Sequence, residues 1–211
     1  KNKHNAEMLF NPTPPTIDDT VFPREDWSHT VYGDAKEKIA HNLPKPRGKG
    51  FTIRAFVDAD HAGNLVTRRS RTGFIIFLNN SPIYWLSKHQ TGVETSSFGS
   101  EFMAMKHCFE YLKVFYFKLR SMGIPVDKPC YIFEDNKSVS INSSKPDSVL
   151  KKNSTSVAYH YVCEGCASDE WQVTYINTDD NCADMFSKSL PSGRKRKKFT
   201  SMILQHIYDH E

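Results

Sequence analysis

Hydrophobic and polar positions along this chain follow two regimes that meet near Gly50. Before it, Asn11-Pro12-Thr13-Pro14-Pro15 and the stretch from Pro44 to Gly50 are dense in chain breakers, leaving room for a short helix only over Gly33 to Asn42. After it the pattern sharpens. Phe51 to Val57 is rich in β-branched and aromatic residues and predicts a strand that ends in Asp58. Thr72 to Leu78 and Pro82 to Ser87 predict two more strands, joined by the turn-forming Asn79-Asn80-Ser81. Three strands with short links form an antiparallel meander.

Ser100 to Met122 contains neither Pro nor Gly, and its apolar residues make a broad helical face that includes Phe102, Phe109 and Phe117. That stripe is expected in the core under a sheet. Gly123 and Pro125 end the helix. Tyr131 to Phe133 predicts a short buried strand leading to Glu134-Asp135, and Asp135-Asn136 opens a short helix through Ile141. Val157 to Ala167 predicts a helix, Trp171 to Ile176 a fifth strand, Asn181 to Ser187 another helix, and Arg194 to His210 a last one with a basic start. A meander followed by alternating elements implies an α/β fold, a five-stranded mixed sheet flanked by helices. The expected organisation is an irregular extension over 1–50, a domain over 51–190 and a basic helical tail over 191–211.

With 211 residues, 38% of them apolar and 12% aromatic, the chain can bury a sizeable core, which excludes wholesale disorder. A net charge of +4 says little, but Lys188 to Lys198 holds six basic residues and no acid, a run able to meet phosphate or simply to be solvated. The five cysteines are odd in number and suggest a reducing compartment rather than a disulfide framework. Neither a signal peptide nor a membrane span is legible, so an intracellular location is expected: cytoplasm, virus-like particle or nucleus. Cys163-Glu164-Gly165-Cys166, with His160 nearby, has no second ligand pair and is better explained as buried thiols than as zinc ligands.

Four acids stand at ends of core elements: Asp58 after the first strand, Glu101 in the first turn of the long helix, Asp135 after the fourth strand and Asp184 on the helix after the fifth. Carboxylates converging in this way suit two hard divalent cations, about 3.5–4 Å apart, which activate a water and stabilise a leaving oxygen in phosphodiester hydrolysis. Any one of them alone is more simply a cap or a surface acid. Strand alternation puts Asp58 and Asp60 on one face, so periodicity does not choose between them.

Several stretches resemble the ribonuclease H domain of copia-type retrotransposon reverse transcriptases. They include Phe56-Val57-Asp58-Ala59-Asp60-His61-Ala62-Gly63, Arg69 to Phe74, Trp85 to Gln90, and Ser96-Ser97 through Glu101-Phe102-Met103-Ala104. Glu134-Asp135-Asn136, Tyr159-His160-Tyr161 and Ala183 to Leu190 continue the pattern, and Phe22-Pro23-Arg24 with Asp26-Trp27 is similar to the linker after the polymerase domain. The resemblance selects Asp58 over Asp60. It implies that Asp58, Glu101, Asp135 and Asp184 hold two magnesium ions, with manganese as a substitute. It also implies an RNA–DNA hybrid as substrate and the polymerase domain of the same polyprotein as a partner.

Ser97, Asn136, Arg194, Lys195 and Arg196 are candidate substrate contacts, and Arg68, Arg69 and Arg71 are as well placed for water as for phosphate. The chain departs from the family at Gly99, where many relatives carry Glu, and at Asn153-Ser154, where many carry Lys-His. No His lies between Trp171 and Asp184, where cellular and retroviral relatives have one. The competing expectations are an idle nucleic-acid-binding or scaffold remnant of the same fold, and a DNA-directed nuclease.

Overall fold

The computed structural model describes residues 6–8, 10–22, 24–148 and 156–206. Five strands form the central sheet: β1 (Phe51–Asp60), β2 (Arg71–Leu78), β3 (Ser81–His89), β4 (Val126–Glu134) and β5 (Trp171–Tyr175), in spatial order β3-β2-β1-β4-β5. The meander β1–β3 is antiparallel, whereas β4 runs parallel to β1 and β5 parallel to β4. β1 is therefore central, with Asp58 opposite Gly73 on one side and Val57 beside Glu134 on the other.

Alternation along the strands sorts side chains between two cores. On one face Ile53, Ala55, Val57, Phe74, Ile76 and Ile132 pack against α1 (Ser97–Ser121) and α3 (Ser156–Ala167), which approach the sheet beside α2 (Lys137–Ser144). Phe109 of α1 stacks on Trp171 of β5 with ring centroids 4.1 Å apart, and burying a ring of that size contributes about 1.5–3 kcal/mol. On the other face Phe56, Ile75 and Phe77 meet Cys182, Ala183 and Phe199, the last carried by α5 (Arg194–Ile203). Between the strands and α5 lies α4 (Asp184–Ser187), a single turn.

Several expected boundaries shift. α1 begins at Ser97, where the Ser96 side chain accepts a hydrogen bond from the Gly99 amide at 3.2 Å, so Glu101 sits in its second turn. Phe117 is 58% exposed and leaves the expected core stripe. The seven-residue spacing from Phe102 to Phe109 continues to the buried Tyr116, and one further residue turns away by about 100°.

The helix expected over Asn181 to Ser187 starts only at Asp184, because Asn177 and Asn181 turn their side-chain oxygens onto the backbone amides of Asp179 and Ala183. The last helix stops at Ile203 rather than His210. Gln205–His206 then pairs antiparallel with Ala6–Glu7, and residues 207–211 lie outside the described residues.

The segment before Phe51 is irregular, and the helix considered for Gly33 to Asn42 is replaced by turns and extended chain. It nevertheless packs on the domain. Phe22 lies edge-on to Tyr131 and Phe133, Trp27 enters the larger core, and Glu37 receives ion pairs from Arg120 and Lys128. No helix among the described residues is long and apolar enough to cross a membrane.

Candidate active site

The chemistry-bearing end of the sheet lies where β1 and β4 finish side by side. Asp58 is fully buried near the end of β1, on the face that carries α4. Gly73 lies directly opposite it, and α4 closes over that glycine: a Cβ there would fall 2.5 Å from the Ser187 amide nitrogen. The close approach brings Asp184 to Asp58. One carboxylate oxygen each from Asp58, Asp135 and Asp184 lies within 4.8 Å of the others.

A second triad shares a member with the first. Oxygens of Glu101, Glu134 and Asp135 also lie within 4.8 Å of one another. Glu134 ends β4 next to Val57 and so points toward the α1 side, from which Glu101 enters. Asp135 follows the strand end, where the chain bends, and belongs to both groups. It does not cap the next helix. Asn136 does so, its Oδ1 accepting from the amides of Ser138 and Val139 at 3.1 and 3.3 Å.

Concentrated, buried negative charge shifts the titrations. Burial pushes the Asp58 carboxyl up to about 6, against the pull of Lys188 and a hydrogen bond from Ser187. Burial first, and neighbouring acids second, raise Glu101 and Glu134 well above the usual carboxylate range. Burial also raises Asp135, opposed by a hydrogen bond with Thr178. Burial pushes Asp184 upward too, but hydrogen bonds from Lys188 and Lys195 prevail and hold it below its ordinary value.

Lys188 Nζ lies 3.0 Å from Asp58 Oδ1 and 2.8 Å from Asp184 Oδ1, and Lys195 reaches Asp184 Oδ2. These ammonium groups gather on the Asp58–Asp184 side. On the opposite side Glu101 Oε2 and Glu134 Oε2 are buried without a hydrogen-bond partner among the described residues. An all-oxygen donor set, crowded enough to raise carboxylate pKa values and with two orphaned oxygens, fits hard divalent cations such as magnesium or manganese.

The structure thus brings together all four acids singled out in the sequence, and Asp60 stays half-buried outside both triads. It adds Glu134 and Lys188. Of the candidate substrate contacts, Ser97 is exposed at the start of α1, and Asn136 is partly engaged as the α2 cap. Arg194 and Arg196 are exposed on α5, while Lys195 turns inward to Asp184. His61 follows β1 and lies 3.3 Å from the Ser100 hydroxyl, tying the strand end to α1. In place of a histidine, the loop before α4 presents Thr178 to Asp135. Asn153-Ser154 lie outside the described residues.

No family model matches the chain. In sequence it is 28% identical over 150 residues to a retrovirus-related Pol polyprotein from transposon RE2 of Arabidopsis thaliana, covering 71% of this chain. It is likewise 28% identical over 150 residues to that from transposon TNT 1-94 of Nicotiana tabacum, covering 70% of this chain. The matches span only 10% and 11% of those relatives' own length. In structure, the chain superposes on LC11-RNase H1, solved in complex with an RNA/DNA hybrid, with a TM-score of 0.52 and 16% identity, covering 64% of this chain and 93% of that one. The chain therefore has a ribonuclease H fold, and over about seven-tenths of its length it is similar in sequence to retrovirus-related Pol polyproteins of plant transposons.

Proposed function

We propose that this chain is a divalent-metal-dependent ribonuclease H that hydrolyses the RNA strand of RNA–DNA hybrids in reverse transcription of a retrotransposon. The convergence of Asp58, Glu101, Asp135 and Asp184 at one end of a ribonuclease H sheet carries this reading. The complex of LC11-RNase H1 with an RNA/DNA hybrid, and the Pol polyprotein relatives, support the substrate and the setting. The polymerase domain of the same polyprotein is the natural partner, in the cytoplasm, a virus-like particle or the nucleus.

Asp58, Glu101, Asp135 and Asp184 would hold divalent cations, which when bound would supply activation of a water and stabilisation of the departing oxygen. The P–O3′ bond breaks as water adds to phosphorus, leaving a 3′-hydroxyl and a 5′-phosphate. Asp135, common to both triads, fixes the two halves of the site relative to each other. Ser187 and Lys188 hold the Asp58 carboxylate toward Asp184, and Thr178 holds Asp135. Arg194 and Arg196, exposed on α5, are the side chains assigned in this reading to backbone phosphates of a bound duplex.

The test is cleavage of end-labelled RNA–DNA hybrid, duplex DNA and duplex RNA in magnesium. Cutting of the RNA strand of the hybrid alone is expected. Preferential cutting of duplex DNA would make the chain a DNA-directed nuclease, and no cutting of any substrate would leave it a binding or scaffold remnant.

A further inference from the structure

Glu134 needs an explanation that a structural role does not provide. It is fully buried at the end of β4, where its Oε1 accepts from the Asn136 amide at 3.1 Å, yet its Oε2 has no hydrogen-bond partner among the described residues. An unsatisfied buried carboxylate oxygen is costly, and an apolar residue beside Val57 would serve the core better. A carboxylate oxygen of Glu134 instead lies within 4.8 Å of one of Glu101, whose own Oε2 is also buried with no partner among the described residues. Both carboxylates lie within 4.8 Å of Asp135, and the two lysines of the site serve Asp58 and Asp184, leaving this side without an ammonium group of its own.

We propose that Glu134 is a fifth cation-ligating carboxylate, forming with Glu101 and Asp135 one coordination point that shares Asp135 with the Asp58–Asp135–Asp184 point. This rests on the reading of the site as a divalent-metal centre. The sharing places one cation on each side of the sheet end: the first near Lys188, the second between Glu134 and Glu101 on the α1 side. Glu134 then sets the affinity of the second cation rather than that of the first. The simpler alternative is a proton held between Glu101 and Glu134, which Gln at position 134 would reproduce with its amide hydrogens.

The experiment uses the whole 211-residue chain. Crystals of the wild-type protein soaked in manganese are measured for anomalous scattering, and manganese binding in solution is titrated for wild type and Glu134→Gln. The proposal expects a peak with a Glu134 oxygen in ligand contact, roughly 2.0–2.2 Å, and a loss of about tenfold or more in the affinity of one of two sites in the variant. Manganese bound at the Asp58 triad with no contact to Glu134, and a variant that titrates as wild type, would overturn the role of Glu134 while leaving the metal centre standing. Manganese absent from both triads would overturn both. If Glu134→Gln fails to fold or the two readouts disagree, the wild-type anomalous map decides.

Discussion

Asp58 is held by two opposed influences, burial that favours the protonated acid and Lys188 that favours the carboxylate, and burial prevails. Asp58→Asn keeps the shape, removes a ligand charge, and should lower the rate of hybrid cleavage by roughly 100-fold or more, while Asp60→Asn costs only a few-fold. A dead Asp60→Asn beside an active Asp58→Asn would reverse the assignment. The same burial has a pH consequence in metal-free protein. The folded Asp58 titrates near 6 and an unfolded one near 3.8, so between these values the native state holds a proton that the unfolded chain has released. Stability from this group is therefore complete below about pH 4 and falls as pH rises toward 6, by on the order of 2–3 kcal/mol. Glu101, Glu134 and Asp135, also raised, act in the same direction. Asp184 is depressed, and its contribution is lost only as pH falls below about 3.8. Urea unfolding in EDTA at pH 4.5 and 6.5 should show the weaker protein at 6.5; equal or greater stability there would contradict this electrostatic account. The four acids were legible as residues at element ends. Glu134 was not, because consecutive strand residues face opposite ways, and only the end of β4 between Glu134 and Asp135 lets both serve one site.

Among the elements, α5 shows how a basic run in sequence becomes something else in space. Lys195 and Lys198 spend their charge on Asp184 and Asp180, leaving Arg194, Arg196 and Lys197 as the exposed cations of α5 with no ion pair among the described residues. Changing those three to Ser should weaken hybrid binding regardless of base sequence and flatten its salt dependence, which runs at about −0.9 per neutralised phosphate on B-form DNA. Unchanged affinity and slope would show α5 to be solvated surface. Lys195→Ser should instead act at the site itself, by releasing Asp184. The acids that neutralise α5 lie in the preceding loop and in α4, a proximity the sequence does not display. The i,i+4 spacing of Asp184 and Lys188 was the one available hint that the cations turn inward. The strands and the long helix were legible because alternation and a 3.6-residue period mark them. Residues 181–183 were expected to be helical and are not, because apolar spacing does not reveal Asx turns.

For the whole molecule, the mixed sheet and its helices followed from the order of the predicted elements, whereas the packing of the N-terminal segment did not. Phe22, Trp27 and Glu37 are scattered among chain breakers, without a period that would announce a buried face. Docked there, that segment braces β4 and β5 from their far side, where Thr174 Oγ1 donates to the Val21 carbonyl at 2.5 Å. The sheet in turn fixes the end at which the carboxylates meet. The central claim is that these carboxylates hold the cations for hydrolysis of the RNA strand, and Asp135 is the residue through which both triads stand or fall. The most direct measurement is magnesium-dependent cleavage of a labelled RNA–DNA hybrid by wild type and Asp135→Asn side by side, with circular dichroism to verify that both are folded. The account predicts RNA-strand products ending in 3′-hydroxyl and 5′-phosphate from wild type, and a rate lower by roughly 100-fold or more from a folded variant. Equal cleavage by the two proteins, or cleavage that persists in EDTA, would contradict it.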